Sequence, residues 1–172
     1  MATAIFTPVE EYLAKTWRPD REYVDGEVRE RNLGEADHSD LQTTLSTWLK
    51  NRRREWNVRV YVEQRVEVSR THYRVPDVSV VSGSRAKEQI ITHPPLICIE
   101  VLSKDDTIRS MKERVAEYVA MGVPNIWLFE PQDREVWVCT ADAMTKVTSS
   151  TLVAQGTDIV IPLEEIWADL QD

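Results

Sequence analysis

The chain has 172 residues, of which 42% are hydrophobic and 29% charged, and its formal net charge is −8 at pH 7. This composition excludes a disordered chain and a collagen-like repeat, and the longest apolar runs, near residues 96–99 and 126–129, fall far short of the roughly 20 residues that cross a bilayer. We therefore expect one folded domain over residues 1–172, without membrane contact.

The N-terminal segment predicts a short helix followed by a hairpin. Residues 1–8 contain no Lys or Arg, unlike a secretory signal, so we expect the protein in the cytoplasm. Residues 8–15 favour one short helix. Residues 22–29 then alternate around Asp25-Gly26, and an Asp-Gly pair is the strongest short-range signal for a hairpin.

Between residues 37 and 68, the spacing of the apolar residues changes from that of a helix to that of a strand. Asp37 can cap a helix that is predicted to end near Trp56. Its apolar stripe consists of Leu41, Leu45, Trp48 and Leu49. Residues 58–68 alternate valine with polar side chains, which predicts one long, half-exposed strand.

Two strongly apolar segments predict buried strands. Residues 75–81 form a β-branched run with Pro76 near its start, where a missing amide is tolerated. Residues 96–102 are apolar on both faces, as in a central strand. Cys98 in this segment and Cys139 in a later apolar run are expected to be reduced, buried thiols.

The remaining segments complete an α/β pattern. Apolar residues at helical spacing over residues 108–119 lead to a cap at Gly122, and residues 125–130 return as a strand, which makes one parallel crossover. Short strands in residues 135–161 precede a last helix near residues 163–170. The sum is a mixed sheet flanked by helices, with an N-terminal hairpin and extra C-terminal strands.

Asp77 and Glu100 carry a charge inside these two buried strands. A buried carboxylate is costly unless it is paired, hydrogen-bonded, protonated or bound to a metal. Two on neighbouring strands repel each other without a cation between them, and Mg²⁺ commonly binds one or two carboxylates together with waters and substrate phosphate. The alternative is that an Arg or Lys pairs with each acid structurally.

The order of motifs around the two acids resembles a known family. The motifs are Pro-Asp at residues 76–77, Glu-Val-Leu-Ser at residues 100–103, Tyr118, and Gly-Val-Pro-Asn-Ile-Trp-Leu at residues 122–128. The chain is similar in this order to the Uma-two family of "putative restriction endonucleases", a branch of the PD-(D/E)XK nuclease superfamily. The resemblance extends over most of the chain.

This resemblance implies a restriction-endonuclease-like core that cuts DNA, with Asp77 and Glu100 binding Mg²⁺ or Mn²⁺. In such nucleases the metal polarises the phosphate and activates a water. A lysine normally follows two residues after the second acid, but that position is Leu102 here. An amine must then come from Lys104 or, as the catalytic candidate that we prefer, from Lys112 on the following helix.

Arg114 occupies the helix position where the family often has a lysine, four residues before the tyrosine. Arginine can stabilise phosphate charge, but its high pKa prevents it from accepting a proton. The alternative for both Lys112 and Arg114 is a solvated helix flank that pairs with neighbouring glutamates.

Two further side chains are candidates for the site. Glu27 follows the Asp-Gly turn, and similar proteins carry an acid there, so it is a candidate extra ligand or water-holding residue. The alternative is an exposed hairpin carboxylate. His38, at the start of the first long helix, can serve as a general base or contact phosphate, or it can pack and cap the helix.

A basic strip favours contact with DNA. Residues 50–74 contain eight basic and three acidic side chains, a local balance of +5. Arg52, Arg53 and Arg54, together with Arg114, are the candidate DNA contacts, and the alternative is a solvated helix end. The overall charge of −8 argues against a protein that coats nucleic acid generally.

Three functions are consistent with these observations. The first is a Mg²⁺-dependent DNA endonuclease, plausibly a homodimer because two symmetric sites cut two strands. The second is a catalytically weak or inactive nuclease fold that binds nucleic acid or a partner, as the residues at positions 102 and 114 suggest. The third is a structural or dimer-forming domain. We expect no organic cofactor, since the sequence has no phosphate-binding glycine loop and no Rossmann fingerprint.

Overall fold

The structure is a computed structural model that describes residues 6–31 and 34–170. Residues 1–5, part of the segment on which the expectation about secretion depends, lie outside the described residues. In the two described ranges, every helix is too short or too polar to cross a membrane.

The described residues form four helices and twelve strands. The helices are α1 (Val9–Ala14), α2 (Ala36–Asn51), α3 (Ile108–Met121) and α4 (Leu163–Asp169). The strands are β1 (Arg21–Val24), β2 (Glu27–Glu30), β3 (Val58–Val62), β4 (Val66–Ser69), β5 (His72–Arg74), β6 (Val78–Ser82), β7 (Ile97–Val101), β8 (Ile126–Glu130), β9 (Glu135–Cys139), β10 (Met144–Lys146), β11 (Thr151–Val153) and β12 (Val160–Pro162).

The strands form a six-stranded main sheet, a four-stranded small sheet and one hairpin. The order in the main sheet is β10-β9-β8-β7-β6-β3, that in the small sheet is β2-β1-β5-β4, and β11 pairs with β12. Strands β6 and β7 are antiparallel, whereas β7 and β8 are parallel and are joined by α3. The mixed sheet, the parallel crossover and the N-terminal hairpin are therefore as predicted.

Helices cover both faces of the main sheet. On one face, α2 buries Leu41, Leu45 and Leu49 against the sheet. On the other, α3 buries its own apolar stripe in a cluster that includes Cys98 and Cys139, both of which are buried free thiols. Side chains alternate along a strand, so the α3 face of β7 also carries the residue two positions after Cys98, which is the second acid.

The bounds of α2 differ from the prediction. The helix starts at Ala36, so Asp37 lies in its first turn, and the N-cap position is Glu35. It ends at Asn51 instead of Trp56, and the following turns close at Asn57, which adopts a positive φ of 48° and leads the chain into β3. Apolar spacing alone did not reveal this end, because Trp56 still packs against the same core.

The prediction of one long strand over residues 58–68 was wrong. The chain leaves the main sheet after β3 and enters the small sheet with β4, and Glu63 between them has a positive φ of 51°. Val62 and Val66 stand four residues apart, an even number, so the alternation continues in register across the break. The alternation of apolar and polar residues therefore could not show that the chain passes from the main sheet to the small sheet.

Candidate active site

The two buried acids face each other across neighbouring strands. Val78 on β6 pairs with Ile99 on β7 in an antiparallel register, which places Asp77 opposite Glu100. Their exposed fractions are 2% and 1%. The amide of Val101 donates to Oδ2 of Asp77 at 2.7 Å, which fixes one carboxylate at the end of the strand that carries the other.

Asp77 is surrounded by groups that stabilise its ionised form. Arg31 Nη2 donates to Oδ1 at 2.6 Å, and Nη1 of the same guanidinium lies 3.0 Å from Glu63. His38 Nε2 lies 3.2 Å from Oδ2. Burial acts to raise the pKa of Asp77, but the His38 hydrogen bond and the Arg31 charge outweigh it and hold this pKa below its ordinary value.

Glu100 has fewer charged partners. The Tyr118 hydroxyl donates to Oε1 at 2.5 Å, and Arg114 Nη1 donates to Oε2 at 3.2 Å. Burial raises the pKa of Glu100 to about 7, against the lowering effect of the Arg114 charge and with a further increase from the charge of Asp77. Near pH 7, the carboxyl of Glu100 is therefore partly protonated, whereas Asp77 stays ionised.

Arg114 is the cation that the structure places beside the second acid. Burial acts to lower its pKa, but the charges of Glu100 and Glu22 raise it above the ordinary value, so Arg114 stays charged. Lys104 pairs instead with the exposed Glu35. Lys112 is exposed and lines a separate groove beside residues 140–144. Two residues along a helix correspond to roughly 200° of rotation, so Lys112 and Arg114 point to different sides of α3.

The acid of the first hairpin that reaches the site is Glu22. Glu27 is exposed on β2 and pairs with Arg29. Glu22 on β1 is 3% exposed and lies 3.6 Å from Nε of Arg114. The sequence analysis did not identify Glu22 as a site residue. The signal that could have indicated it is strand alternation: Glu22 precedes Tyr23 in a strand, so the two side chains lie on opposite faces.

The N-terminal end of α2 supplies two more groups. His38 is brought to Asp77, and burial acts to lower its pKa while the hydrogen bond and charge of Asp77 raise it above the ordinary value. Gln42, one turn later, donates to the backbone oxygen of Asp77 at 3.2 Å. Nothing in the sequence linked Arg31, just after β2, to Asp77, which lies 46 residues further along the chain.

A small polar cavity of about 20 Å³ lies at the first acid. It is lined by Arg31, His38, Asp77, Val101, Ser103, Asp106 and Arg114. A neighbouring cavity of about 130 Å³ shares His38 and Ser103 and extends to Glu130. The smaller cavity has the volume for about one water or one ion, which requires at least roughly 10–15 Å³.

The basic strip lies at the other end of α2. Arg52 stacks on Trp48, with its guanidinium carbon 3.8 Å from the ring centroid, and pairs with Glu165. Arg53 and Arg54 are exposed. A rise of about 1.5 Å per residue puts the strip roughly 20 Å from His38 along the helix. The structure therefore does not bring these arginines to the cavity at Asp77.

The donor set fits Mg²⁺. Within residues 6–31 and 34–170, no group of three or more His, Cys, Asp and Glu side chains is arranged to hold a metal. Mg²⁺ does not need such a group, because it is usually bound through one or two carboxylates plus waters and substrate phosphates. The carboxylates of Asp77 and Glu100 would supply these hard oxygen ligands, since each carboxylate oxygen has two lone pairs. Arg31 and Arg114 are the cations with which the ion would compete.

The fold and the site together define a restriction-endonuclease-like protein: Asp77, directly before β6, lies opposite Glu100 on β7, the strand that precedes the crossover helix α3. The family model of Uma2, described as "Putative restriction endonuclease", matches residues 9–171. The chain belongs to this family. The resemblance seen in the sequence is thereby confirmed, and family membership supports a nuclease as the general class.

A solved structure with a TM-score above 0.5 supports the same fold. A "putative nuclease belonging to DUF820" from Anabaena variabilis has a TM-score of 0.79 and 19% sequence identity, with 94% of this chain and 97% of that chain covered. A DrdV–DNA complex has a TM-score of 0.40 and 15% identity, and covers 62% of this chain and 9% of that chain. No curated protein matches the chain.

Proposed function

We propose that the protein is a Mg²⁺-dependent DNA endonuclease that hydrolyses phosphodiester bonds at Asp77 and Glu100. The observation that carries this proposal is the opposition of these two buried acids, of which Asp77 lines a small polar cavity. Membership in a restriction endonuclease family supports the reaction class. A homodimer and a cytoplasmic location are further parts of the proposal.

Asp77 and Glu100 would hold the ion. When bound there, Mg²⁺ supplies Lewis-acid chemistry: it polarises the phosphate and lowers the pKa of a bound water. Arg114 would stabilise the negative charge that develops on the phosphate, because its guanidinium is half-buried, charged and directed at Glu100. Arg31, which bridges Asp77 and Glu63, is the second cation within reach of a phosphate oxygen.

His38 is a second titratable group in this site, beside Glu100. Its pKa is raised by Asp77, which favours the imidazolium. We therefore assign the His38 imidazolium to donate a proton to a phosphate or leaving oxygen, instead of accepting a proton from water. Arg114 cannot take either role, since its guanidinium does not lose its proton.

The test is nicking of supercoiled plasmid in the presence of Mg²⁺ or Mn²⁺. We expect the wild type to nick, and both Asp77→Asn and Glu100→Gln to lose at least about 100-fold in rate, as is typical when a group that stabilises the transition state is removed. Glu164→Gln, a surface change on α4, is the control. Equal rates in the wild type and both site variants would refute the assignment.

A second candidate function is a nuclease fold that binds DNA without cutting it. The observation in its favour is that each acid already has an arginine partner, Arg31 for Asp77 and Arg114 for Glu100. Leu102 at the usual lysine position agrees with it. DNA retention that weakens with salt, without nicking under any metal condition, would support this function.

A further inference from the structure

The buried acid Glu22 connects the small sheet to the candidate active site. Its Oε1 lies 3.6 Å from Nε of Arg114. The other end of the same guanidinium donates from Nη1 to Glu100 at 3.2 Å. Arg114 therefore bridges one acid from the small sheet and one from the main sheet.

Glu22 is held in place by Arg74 and by the backbone of Val75. Arg74 Nη1 donates to its Oε2 at 2.7 Å, and the amide of Val75 donates to its Oε1 at 3.4 Å. Arg74 is itself fixed by two hydrogen bonds to Glu117, at 2.5 and 2.9 Å. Glu117 lies about one turn after Arg114 on α3, so the helix that carries Arg114 also anchors the frame around Glu22.

Glu22 is shared by two guanidiniums, that of Arg74 at 2.7 Å and that of Arg114 at 3.6 Å. Arg74 already has a bidentate carboxylate partner in Glu117, which is the strongest common arrangement for a guanidinium. Arg114 contacts a single oxygen of Glu22, at 3.6 Å, and a single oxygen of Glu100, at 3.2 Å. A long side chain with many rotamers needs contacts at both ends of the guanidinium to hold one orientation.

We propose that Glu22 is a positioning residue that holds Nε of Arg114, so that Nη1 faces Glu100 and the proposed phosphate site. The inference rests on the proposed nuclease function, because Arg114 needs a fixed orientation only if it stabilises charge on a substrate. Glu22 acts through Arg114 and does not contact the DNA. Glu22 thus occupies the position near the site for which the sequence suggested Glu27.

The first test is a double-mutant cycle on plasmid nicking by the full chain. We expect Glu22→Gln to lower kcat about tenfold with KM changed less than about twofold, because a misplaced Arg114 weakens the transition state and not DNA binding. The variant with both Glu22→Gln and Arg114→Met should be no slower than Arg114→Met alone. Glu30→Gln, an exposed change on the same hairpin, is the matched control. Losses that multiply in the double variant would overturn the proposal.

The second test does not depend on activity. We expect hydrogen exchange of the Arg114 Nε–H, followed by NMR without metal, to become at least about tenfold faster in Glu22→Gln and to stay unchanged in Glu30→Gln. Faster exchange in a protein that never cuts DNA would support the positioning role and reject the nuclease function. Unchanged exchange would overturn the positioning role alone.

A further variant covers the case in which Glu22→Gln does not fold. Glu22→Asp keeps the negative charge for Arg74 but withdraws the carboxylate by one methylene. We expect it to fold and still to speed Arg114 Nε–H exchange. Wild-type exchange and wild-type kcat in Glu22→Asp would contradict the inference.

Discussion

The surroundings of Asp77 and Glu100 differ although the two carboxylates face each other across one strand pair. Asp77 receives a guanidinium, an imidazole and a backbone amide, and its pKa is lowered. Glu100 receives a phenol and an arginine that it shares with Glu22, and its pKa is raised to about 7. Burial is nearly equal, so the partners decide the charge state.

This difference teaches that a pair of adjacent acids avoids repulsion by dividing the roles. One acid stays ionised through dedicated partners, and the other binds a proton more tightly than a free carboxyl does. A divalent ion between them would replace that proton, since its charge favours the ionised form of both carboxylates. Substitutions at and around the two acids test this division of roles.

The largest expected effect is on folding stability. Asp77→Asn removes the charge that compensates the buried His38 and half of the partners of Arg31, and breaking a buried pair in this way costs about 3–5 kcal/mol. Glu100→Gln should cost about 1 kcal/mol, because the amide oxygen still accepts from Tyr118. Urea unfolding at pH 7 measures both, and equal costs would contradict the division of roles.

The next effect is the pH dependence of stability. The pKa of Glu100 is raised from 4.5 to about 7 by burial, so the folded protein holds this proton more tightly than the unfolded chain does. The resulting stabilisation is complete below pH 4.5 and is lost as the pH rises towards 7, at about 1.4 kcal/mol per pH unit. The difference in the free energy of unfolding between the wild type and Glu100→Gln, measured from pH 4.5 to 8, gives this slope. A difference that does not change with pH would refute the raised pKa.

Tyr118→Phe should shift that pH dependence. The phenol hydrogen bond favours the ionised Glu100, so its removal raises the pKa of this acid further, by about one unit for a hydrogen bond of about 1.4 kcal/mol. The pH above which the free energy of unfolding stops depending on Glu100 should rise by the same amount. NMR of the Glu100 carboxyl carbon gives the titration directly, and an unchanged or lower midpoint would contradict this contact.

The smallest effects are expected for the two candidates that lie away from the acids. Lys112→Ala and Glu27→Gln should each change the free energy of unfolding by less than about 0.5 kcal/mol, as is usual for exposed side chains. We also expect nicking to continue at close to the wild-type rate. A loss of about 100-fold in either variant would restore the catalytic roles that the sequence suggested for them.

Much of the architecture followed from local patterns. The Asp25-Gly26 turn, the apolar stripe of α2 and the left-handed Gly122 cap of α3 each depend on a few consecutive residues, so the sequence could predict them. The passage from β3 to β4 could not be predicted, because the alternation of valines stays in phase while the chain moves to another sheet.

For the site, the sequence by itself determined that Asp77 and Glu100 are costly to bury and must find compensation, since each interrupts an apolar strand. It did not determine which cations compensate them. Arg31 and Arg114 are 46 and 14 residues away along the chain from the acids they pair with, and Glu22 joins through a separate sheet. Such partners depend on how elements pack over long sequence distances, and only the tertiary structure decides that.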